Sequence, residues 1–432
     1  MEGRPMKASP FRKIIWGLLC FFFMIFFLIL FIKKEETPSD TMSICTDELM
    51  YPHIQNMTEY YQMAVDPQAR FEITVIPSSG AEKEAVCKKL RTELMSGKGK
   101  DIYLLTDQAA QGSSGSGEVF LPDVNKTLYS GVWADLTDYI SQDEVFRNCY
   151  KPVMAAGKAG GKQYVLPLTF DFNVIKIDGR CGRYEEPVEL GDLDPYTFLL
   201  NPAPWLGGTI DYEKEKCRIT QEEIQEFLTQ VTEKIRRNPA SYQDTSVISM
   251  YHEAAMGEDT SAVSCTYYAV PSITQKICAK IQSYGTIGRS CRQKEKAYQF
   301  LRLFWLEDFA NGKGIAFQAE GTLNFCSNAI YMIGGIPVQM SQWEAWFTNS
   351  LSLYGQQKNA VLMENAASFQ KAAKTVSFAE FKNTLDRIEV EVQELFLDEN
   401  GYQIRADWPD LERRVEKAAS ILYDNIYYMA LE

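Results

Sequence analysis

The apolar and polar positions divide the chain into one long apolar run near the N-terminus and a larger region of mixed pattern. Residues 14–32 are nineteen residues without a charge, and a helix of about twenty apolar residues can cross a bilayer. Basic residues are concentrated before this run, which predicts a cytoplasmic N-terminus and an exported remainder. A cleaved signal peptide is the alternative, but no small-residue cleavage site follows Ile32. We therefore expect an uncleaved, single-pass anchor in the cell membrane.

From residue 41 onward the pattern alternates between two periods. Strands are predicted at 41–46, 71–76 and 102–105, and helices at 48–65 and 81–95. This alternation is typical of a parallel sheet whose strands are joined by right-handed helical crossovers. The fold class expected from it is α/β.

An apolar run interrupted by a proline occupies the middle of the chain. Residues 165–172 read VLPLTFDF, and Gly160 and Gly161 precede them. Two glycines can supply the positive φ of a tight turn. Proline cannot donate to a sheet ladder, so we expect the chain to leave one sheet at Pro167 and to enter another.

Two later helices are indicated by their first turn or by their periodicity. Thr220 and Glu223 have the spacing of a capping box, in which each side chain accepts a hydrogen bond from the other residue's backbone amide. Towards the C-terminus, apolar residues recur with helical spacing at Leu411, Val415, Ala418, Leu422 and Ile426. This helix is predicted to dock against the folded region.

Composition and charge exclude some classes of partner. The chain has 432 residues, a formal charge of −13 and 23% charged residues, which suits two globular lobes or domains. The first thirteen residues carry four basic side chains and one acid, so the remainder is more acidic still. An acidic surface argues against binding nucleic acid.

Cysteine and histidine usage limits the chemistry of the chain. Of ten cysteines, Cys20 falls in the apolar run, and the odd number left cannot all pair with one another. Buried thiols are the simpler interpretation, and one or two disulfides remain the alternative for an exported domain. With two histidines and no metal-ligand spacing, no metal site is expected.

No motif for catalysis or for a cofactor is found in the sequence. There is no G-x-S-x-G elbow and no G-x-G-x-x-G after a strand. Residues 157–163 resemble a phosphate loop but have one residue too few between the glycines, and a hairpin turn explains them better. We therefore expect neither an enzyme nor a cofactor-binding protein.

Four segments together resemble one protein family. They are SGVWADLTDYI (130–140), YKPVMAAGKAGGKQYVLPLTF (150–170), SYGTIGRSCRQKEKAYQFLRLFW (283–305) and GGIPV (334–338). Their order and spacing resemble the extracellular solute-binding proteins, family 1, of bacterial ABC importers, the group similar to maltose-binding protein. The resemblance implies an α/β, two-lobed periplasmic-binding-protein type II architecture with discontinuous lobes. The one N-terminal transmembrane helix expected before it comes from the apolar run and departs from the family.

The resemblance also implies a division of the chain into lobes. The expected parts are a cytoplasmic N-terminus (1–13), a transmembrane anchor (14–32), a linker (33–40), lobe 1 (41–165 and 284–340) and lobe 2 (166–283 and 341–432). The chain would cross between the lobes at 164–170, 284–288 and 337–343.

Aromatic and acidic residues near these crossings are candidates for binding a ligand. Aromatic residues make up 12% of the chain, and stacked rings with carboxylates or amides suit sugars. The family often places a cleft-facing aromatic near Tyr267 and Tyr268. The candidate ligand-binding residues are Phe170, Asp171, Phe172, Trp205, Tyr267, Tyr268 and Trp343. For each ring, core packing is the competing interpretation; Asp171 is the strongest candidate because a charge after an apolar strand usually faces water or a ligand.

Two functions are compatible with these observations. In the first, a membrane-anchored extracellular domain captures a small solute, a saccharide, in the cleft between the lobes and passes it to an ABC permease. In the second, the same scaffold no longer serves an importer and acts as a sensor or assembly module at the membrane. The four family-like segments and the predicted exported topology favour the first function. The absence of a lipid-anchoring cysteine motif and the odd cysteine count motivate the second as the alternative.

Overall fold

The computed structural model describes residues 41–107, 119–178, 199, 205–237, 248–251, 263–306, 315–319, 322–326, 334–350, 359–383, 389–397 and 409–431. The chain divides into two compact units, Met1–Thr41 and Met42–Glu432. The predicted anchor and linker, residues 14–40, lie outside the described residues. Within the described part, no helix combines the length and the apolar character that crossing a membrane requires.

The strands are β1 (Thr41–Asp47), β2 (Arg70–Ile76), β3 (Ile102–Thr106), β4 (Lys158–Ala159), β5 (Lys162–Gln163), β6 (Val165–Phe172), β7 (Val174–Asp178), β8 (Ile210–Asp211), β9 (Lys216–Cys217), β10 (Ile248–Tyr251), β11 (Cys265–Ala269), β12 (Cys278–Ile287), β13 (Ile315–Ala319), β14 (Thr322–Cys326), β15 (Ile336–Pro337) and β16 (Phe378–Phe381).

The α-helices are α1 (Tyr51–Ala64), α2 (Gly80–Met95), α3 (Val124–Thr127), α4 (Thr137–Gln142), α5 (Lys151–Met154), α6 (Gln221–Arg237), α7 (Lys294–Leu301), α8 (Trp343–Ser350), α9 (Ala360–Ala373), α10 (Glu389–Phe396) and α11 (Leu411–Leu431). Short 3-10 turns cover Glu144–Phe146, Ala155–Gly157, Arg302–Trp305 and Met340–Gln342.

The first sheet has seven strands in the order β15-β6-β12-β3-β1-β2, with β16 added to β12. β1 and β3 run parallel, and β12 runs antiparallel to both β3 and β6. The strand–helix alternation predicted for residues 41–105 is confirmed by β1, α1, β2, α2 and β3. All eight residues of β6 are buried, as expected for a central strand covered on both faces.

The second sheet has three antiparallel strands in the order β10-β7-β11. Ile175 and Ile177 of this sheet belong to a second cluster of buried apolar side chains, which includes residues of α6, α10 and α11. Val174, Cys265 and Tyr267 of the same sheet belong to the first cluster. The predicted capping box is confirmed, because the Thr220 amide donates to Glu223 Oε2 at 2.8 Å and the Glu223 amide donates to Thr220 Oγ1 at 3.3 Å. The predicted docking of the C-terminal helix is also confirmed, since Val415, Ala418, Leu422 and Ile426 are buried in this core.

The glycine turn before β6 is also as predicted. β4 and β5 form a small antiparallel hairpin, and Gly160 and Gly161 between them have φ of +54° and +78°. Side chains rarely adopt this region of φ, so glycine is required there.

The predicted first crossing, at 164–170, falls almost entirely within β6. β6 continues through Pro167 to Phe172 and pairs with β12 along this length. The chain changes sheets between β6 and β7, at Asn173. Pro167 is accommodated where the pairing with β12 is irregular, and its carbonyl accepts a hydrogen bond from Trp305 Nε1 at 3.0 Å.

The predicted second and third crossings also fall on or beside strands of the first sheet. Residues 284–287 lie inside β12 and pair with β3, and the chain returns from the second sheet to the first between β11 and β12, at residues 270–277. Near the predicted third crossing, β15 still pairs with β6 in the first sheet, and Trp343 belongs to the first core. The boundaries drawn at residues 165 and 283 therefore fall within strands of the first sheet.

Candidate functional site

Most of the aromatic candidates are part of the two cores. Phe170, Phe172, Trp343 and Tyr267 are at most 3% exposed in the first core, and Trp205 is fully buried in the second. In this conformation core packing accounts for these five rings, and they present no surface for a ligand. Tyr268 alone among the ring candidates is half-buried; it packs against the second core.

The structure brings the buried rings together in pairs. The Phe170 ring lies 6.1 Å from that of Trp343, whose Nε1 donates to the Pro337 carbonyl at 2.8 Å. Phe172 and Tyr267 both contact Phe369, at 5.7 and 5.1 Å between ring centroids. Sequence reasoning could not choose between these packed rings and exposed stacking platforms, because both need the same residue types.

Asp171 lies at the carboxyl end of β6, where it is 2% exposed. Its Oδ1 accepts a hydrogen bond from the Phe172 amide at 2.8 Å, and its Cα pairs with Lys280 of β12. A buried carboxylate at a strand end needs polar neighbours. The residue therefore belongs to a polar region of the first sheet rather than to its apolar centre.

Two further carboxylates end neighbouring strands of the same sheet. Asp47 ends β1, and its two oxygens accept hydrogen bonds from the Met50 amide at 3.0 Å and the Thr106 amide at 2.6 Å. Burial raises the pKa of Asp47, although these backbone amides oppose the rise. Asp107 follows β3 and forms an ion pair with Lys382. Because β1 and β3 are parallel, both acids lie at one edge of the sheet.

A buried ion pair joins β12 to β16 at this edge. Lys280 Nζ lies 2.7 Å from Glu380 Oε1, and the two side chains are 15% and 6% exposed. The Gly208 amide, from the loop after Trp205, donates to Glu380 Oε2 at 3.2 Å. The carboxylate of Glu380 therefore contacts both a strand of the first sheet and a loop whose neighbours belong to the second core.

A set of amide and hydroxyl groups continues this network. Asn125 of α3 exchanges two hydrogen bonds with the backbone of Phe381, at 2.9 and 3.0 Å. Asn383 Nδ2 donates to the Tyr212 hydroxyl at 3.0 Å, and Tyr212 packs against the second core. We call Asp107, Asn125, Tyr212, Lys280, Glu380, Lys382 and Asn383 the junction cluster, because they connect the two cores.

Asp123 adds a titratable group beside the junction cluster. Its Oδ1 caps α3 by accepting hydrogen bonds from the backbone and side-chain nitrogens of Asn125, both at 2.9 Å. Burial raises the pKa of Asp123 to about 6, and Asn125 and the neighbouring Tyr212 hydroxyl offset this only in part. Within the described structure no hydrogen bond of normal geometry reaches its shielded Oδ2. This carboxyl can therefore change its charge near neutral pH.

The junction cluster offers carboxylates, ammonium groups, amides and a phenol within one region. Such groups can donate to and accept from a polyol, and no set of side chains in the described residues has the composition of a metal site. Sequence reasoning missed these residues, apart from the neighbouring Asp171, because Asn125 and Phe381 are separated by 256 positions. The one available indication was Glu380 within the apolar stretch FAEF.

Two open grooves lie elsewhere on the surface. One, of about 760 Å³, is lined by Tyr139, Tyr298, Arg302 and acidic residues of α4 and the following turn. There, the Arg302 guanidinium holds the pKa of Asp143 below its usual range against the effect of burial. The other, of about 440 Å³, lies between α6 and residues 273–276. Neither groove lies at the carboxyl edge of the first sheet.

Of the seven cysteines whose side chains are described, six are buried and Cys217 is half-buried. Burial raises the pKa of Cys149 to about 12, so this thiol stays protonated and unreactive at neutral pH. For the six buried residues the interpretation as small buried side chains is confirmed.

No family model matches the sequence, and no curated protein matches it. Solved structures do match the fold. An extracellular solute-binding protein family 1 member from Alicyclobacillus acidocaldarius superposes with a TM-score of 0.54 at 11% identity, covering 92% of this chain and 100% of that one. The sugar-binding protein MalE from Xanthomonas citri gives 0.53 at 9% identity, covering 91% and 100%.

A third match is the solute-binding protein of an ABC transporter from Thermotoga lettingae bound to α-D-tagatose. Its TM-score is 0.51 at 12% identity, and the alignment covers 91% of this chain and all of that one. The chain therefore has the mixed α/β fold of the two-lobed extracellular solute-binding proteins. At these identities the comparison identifies the fold alone.

Proposed function

We propose that this chain is an extracytoplasmic solute-binding protein that takes a small polyhydroxylated solute, a saccharide, in the region between its two cores. The observation that carries the proposal is the junction cluster itself. It gathers charged and polar side chains at the carboxyl ends of β3 and β6, which is where ligands of open α/β sheets bind. The fold shared with sugar-binding proteins supports the same solute class.

The chemistry of the cluster suits hydroxyl recognition. Asp107 and Asp171 would accept hydrogen bonds from sugar hydroxyls, and Tyr212 would supply a hydroxyl from the side of the second core. Charged acceptors make hydrogen bonds that are about twice as strong as neutral pairs. The protein would therefore bind and hold the solute without any chemical step, as a binding protein and not an enzyme.

Two connections between the first and second sheets would act as the hinges that open the protein for a solute. Asn173 joins β6 to β7, and residues 270–277 join β11 to β12. Gln275 in the second connection has a φ of +60°, a strained value for a side chain other than glycine. Hinge closure of two lobes about such connections is a common response to a ligand.

The proposal includes the location and the partner. Residues 14–32 would anchor the protein in the cell membrane with residues 33–432 outside, and an ABC permease would receive the solute. The motivation is the uncharged run and its basic flank. Labelling intact cells with a membrane-impermeant amine reagent tests the topology: modification only after lysis would place the folded region inside the cell.

Calorimetric titration of the full chain tests the solute class. The panel would contain maltotriose, tagatose and lacto-N-biose, with amino acids and a tripeptide as other classes. We expect at least one saccharide to bind, and Asp107→Asn to weaken it about tenfold or more through loss of a charged acceptor. Glu416→Gln, an exposed acid of α11, is the matched control. A panel that gives no heat, or a peptide as the only ligand, would overturn the proposal.

A second function is supported by one specific observation. β16 already occupies part of the carboxyl edge of the first sheet, which fits a scaffold that signals or assembles without transporting a solute. The two functions differ in a measurable way. Deleting this chain would abolish uptake of the saccharide in the first case and leave uptake unchanged in the second.

A further inference from the structure

The position of β16 along β12 is unusual for a short strand. One flank of β12 pairs with β6 from Ala279 to Thr286. On its other flank, residues 283–287 pair with β3, and residues 278–281 pair with β16. β16 and β3 therefore lie end to end on the same side of β12.

The directions of these strands place two carboxyl ends against each other. β3 runs antiparallel to β12 and ends beside Ser283, whereas β16 runs parallel to β12 and ends beside Ile281. The ion pair between Asp107 and Lys382 closes the junction. β16 thus fills the space directly beyond the carboxyl end of β3, the place where a ligand of such a sheet would lie.

Groups of the first core hold β16 from one side. Its backbone pairs with β12, and Asn125 of α3 makes two hydrogen bonds to Phe381. The Phe381 ring packs against that of Tyr284 at 5.2 Å, edge to face. Before the strand, the Tyr150 hydroxyl lies 2.7 Å from the Val376 carbonyl, to which it donates.

Groups near the second core hold it from the other side. The Gly208 amide donates to Glu380, and Asn383 donates to Tyr212. A Cβ on Gly208 would lie 3.5 Å from the Phe378 ring, which shows how closely the loop approaches the strand. Lys276, in the connection between β11 and β12, lies 5.2 Å from the same ring.

We infer that β16 is a built-in occupant of the solute cleft: it takes the place of a ligand beside β3, and it ties the two cores together until it is displaced. The strand binds as an added peptide strand does, through main-chain pairing and charged side chains. A saccharide would have to compete with β16. Its apparent association constant would therefore equal the intrinsic constant multiplied by the fraction of molecules in which β16 is released. The inference builds on the proposed cleft but does not depend on the solute.

The test compares hydrogen exchange in the full chain and in the double variant Glu380→Gln, Lys382→Gln. Both substitutions remove an ion pair that holds β16 and leave its backbone and apolar residues intact. Glu416→Gln with Lys417→Gln, two exposed residues of α11, changes the same charges elsewhere and serves as the control. Circular dichroism checks that each variant is folded; should the double variant not fold, Tyr212→Phe removes a single hydroxyl on the side of the second core, the one that accepts from Asn383.

We expect amides 378–381 of the variant to exchange about tenfold faster or more, while those of 42–47 and 102–106 stay as slow as in the wild type. The control should match the wild type throughout. Unchanged exchange at 378–381 would overturn the inference. So would faster exchange of the whole first sheet together, because β16 would then be an integral strand and not a separable occupant.

A second arm uses maltotriose with the same variants. Release of β16 should tighten binding about tenfold or more relative to the wild type, and equal affinity would contradict competition. The exchange experiment decides the inference without a solute. A chain in which β16 is released separately but no saccharide binds would therefore retain this inference and lose the proposed function.

Discussion

One flank of β12 pairs with two different strands, β3 and β16. The part beside β3 is apolar and stabilises the fold, whereas the part beside β16 carries charged groups that suit a binding site. Alongside β3, residues 283–287 pair with the apolar stretch Ile102–Thr106, which is buried throughout. Alongside β16, residues 278–281 pair with a strand that carries the buried charge of Glu380. The first half is built like the centre of a sheet. The second half pairs with β16 and carries ion pairs that a ligand could replace.

The largest effect is expected in the half beside β3. Leu104 is fully buried, and Leu104→Ala should lower the free energy of unfolding by about 2–5 kcal/mol, because it leaves a cavity in the first core. Urea denaturation followed by tryptophan fluorescence measures this. The half-buried Leu411→Ala in α11 is the control and should cost clearly less. If Leu104→Ala lowered the free energy of unfolding by less than Leu411→Ala, the packing around β3 would not be a main source of stability in the first core.

A smaller and more local effect is expected beside β16. Glu380→Gln should cost on the order of 1–3 kcal/mol, because Lys280 keeps its charge in a largely buried position. A double-mutant cycle with Lys280→Met isolates the pair: the two substitutions together should cost less than the sum of the single ones. Strict additivity would mean that the ion pair contributes nothing to holding β16.

The third prediction concerns the pH dependence at Asp123. Its folded pKa, about 6, lies above the ordinary value, so the folded state retains a proton that the unfolded state loses. The contribution of Asp123 to the free energy of unfolding is therefore largest below pH 4 and decreases as the pH rises to 6. In the Asp123→Asn variant, the decrease in the free energy of unfolding with rising pH should be smaller than in the wild type by roughly 1–2 kcal/mol. This figure is reduced for the partial exposure of the side chain to solvent. Urea midpoints at pH 4.5 and 7 measure it; parallel shifts in wild type and variant would rule it out.

The smallest effect is expected at the contact from the second core. Tyr212→Phe removes a hydroxyl that accepts a hydrogen bond from Asn383, at a cost of about 0.5–1.5 kcal/mol. Its distinguishing consequence is faster exchange at 378–381, measured by mass spectrometry. The half-exposed Tyr423→Phe in α11 is the matched control. Equal exchange in both variants would show that the Tyr212 hydroxyl does not hold β16.

Periodicity and turn chemistry were sufficient for the local elements. The alternation of β1, α1, β2, α2 and β3 and the buried face of α11 follow from spacing alone. Gly160 and Gly161 were identified because a hairpin turn needs a positive φ. These features depend on residues that are close together in the chain, so the sequence alone is sufficient to predict them.

The crossings and the site depend on distant residues and were harder to predict. Pro167 was expected to end a strand, but irregular pairing with β12 and the bond from Trp305 accommodate it. Phe170 and Trp343 were candidates for stacking a ligand, yet tertiary packing places them in the core. Nothing in the sequence near Asn125 indicates a partner at Phe381, because pairing over such a separation leaves no local periodicity.

Hydrogen exchange of the full chain with and without saturating maltotriose, repeated with the other saccharides of the panel, tests the central claim most directly. The claim is that a solute enters beside β3 and competes with β16. For a saccharide that binds, the account predicts faster exchange at 378–381, slower exchange near Asp107 and little change in β1. No change with any saccharide, or a change confined to the groove between Tyr139 and Tyr298, would contradict it.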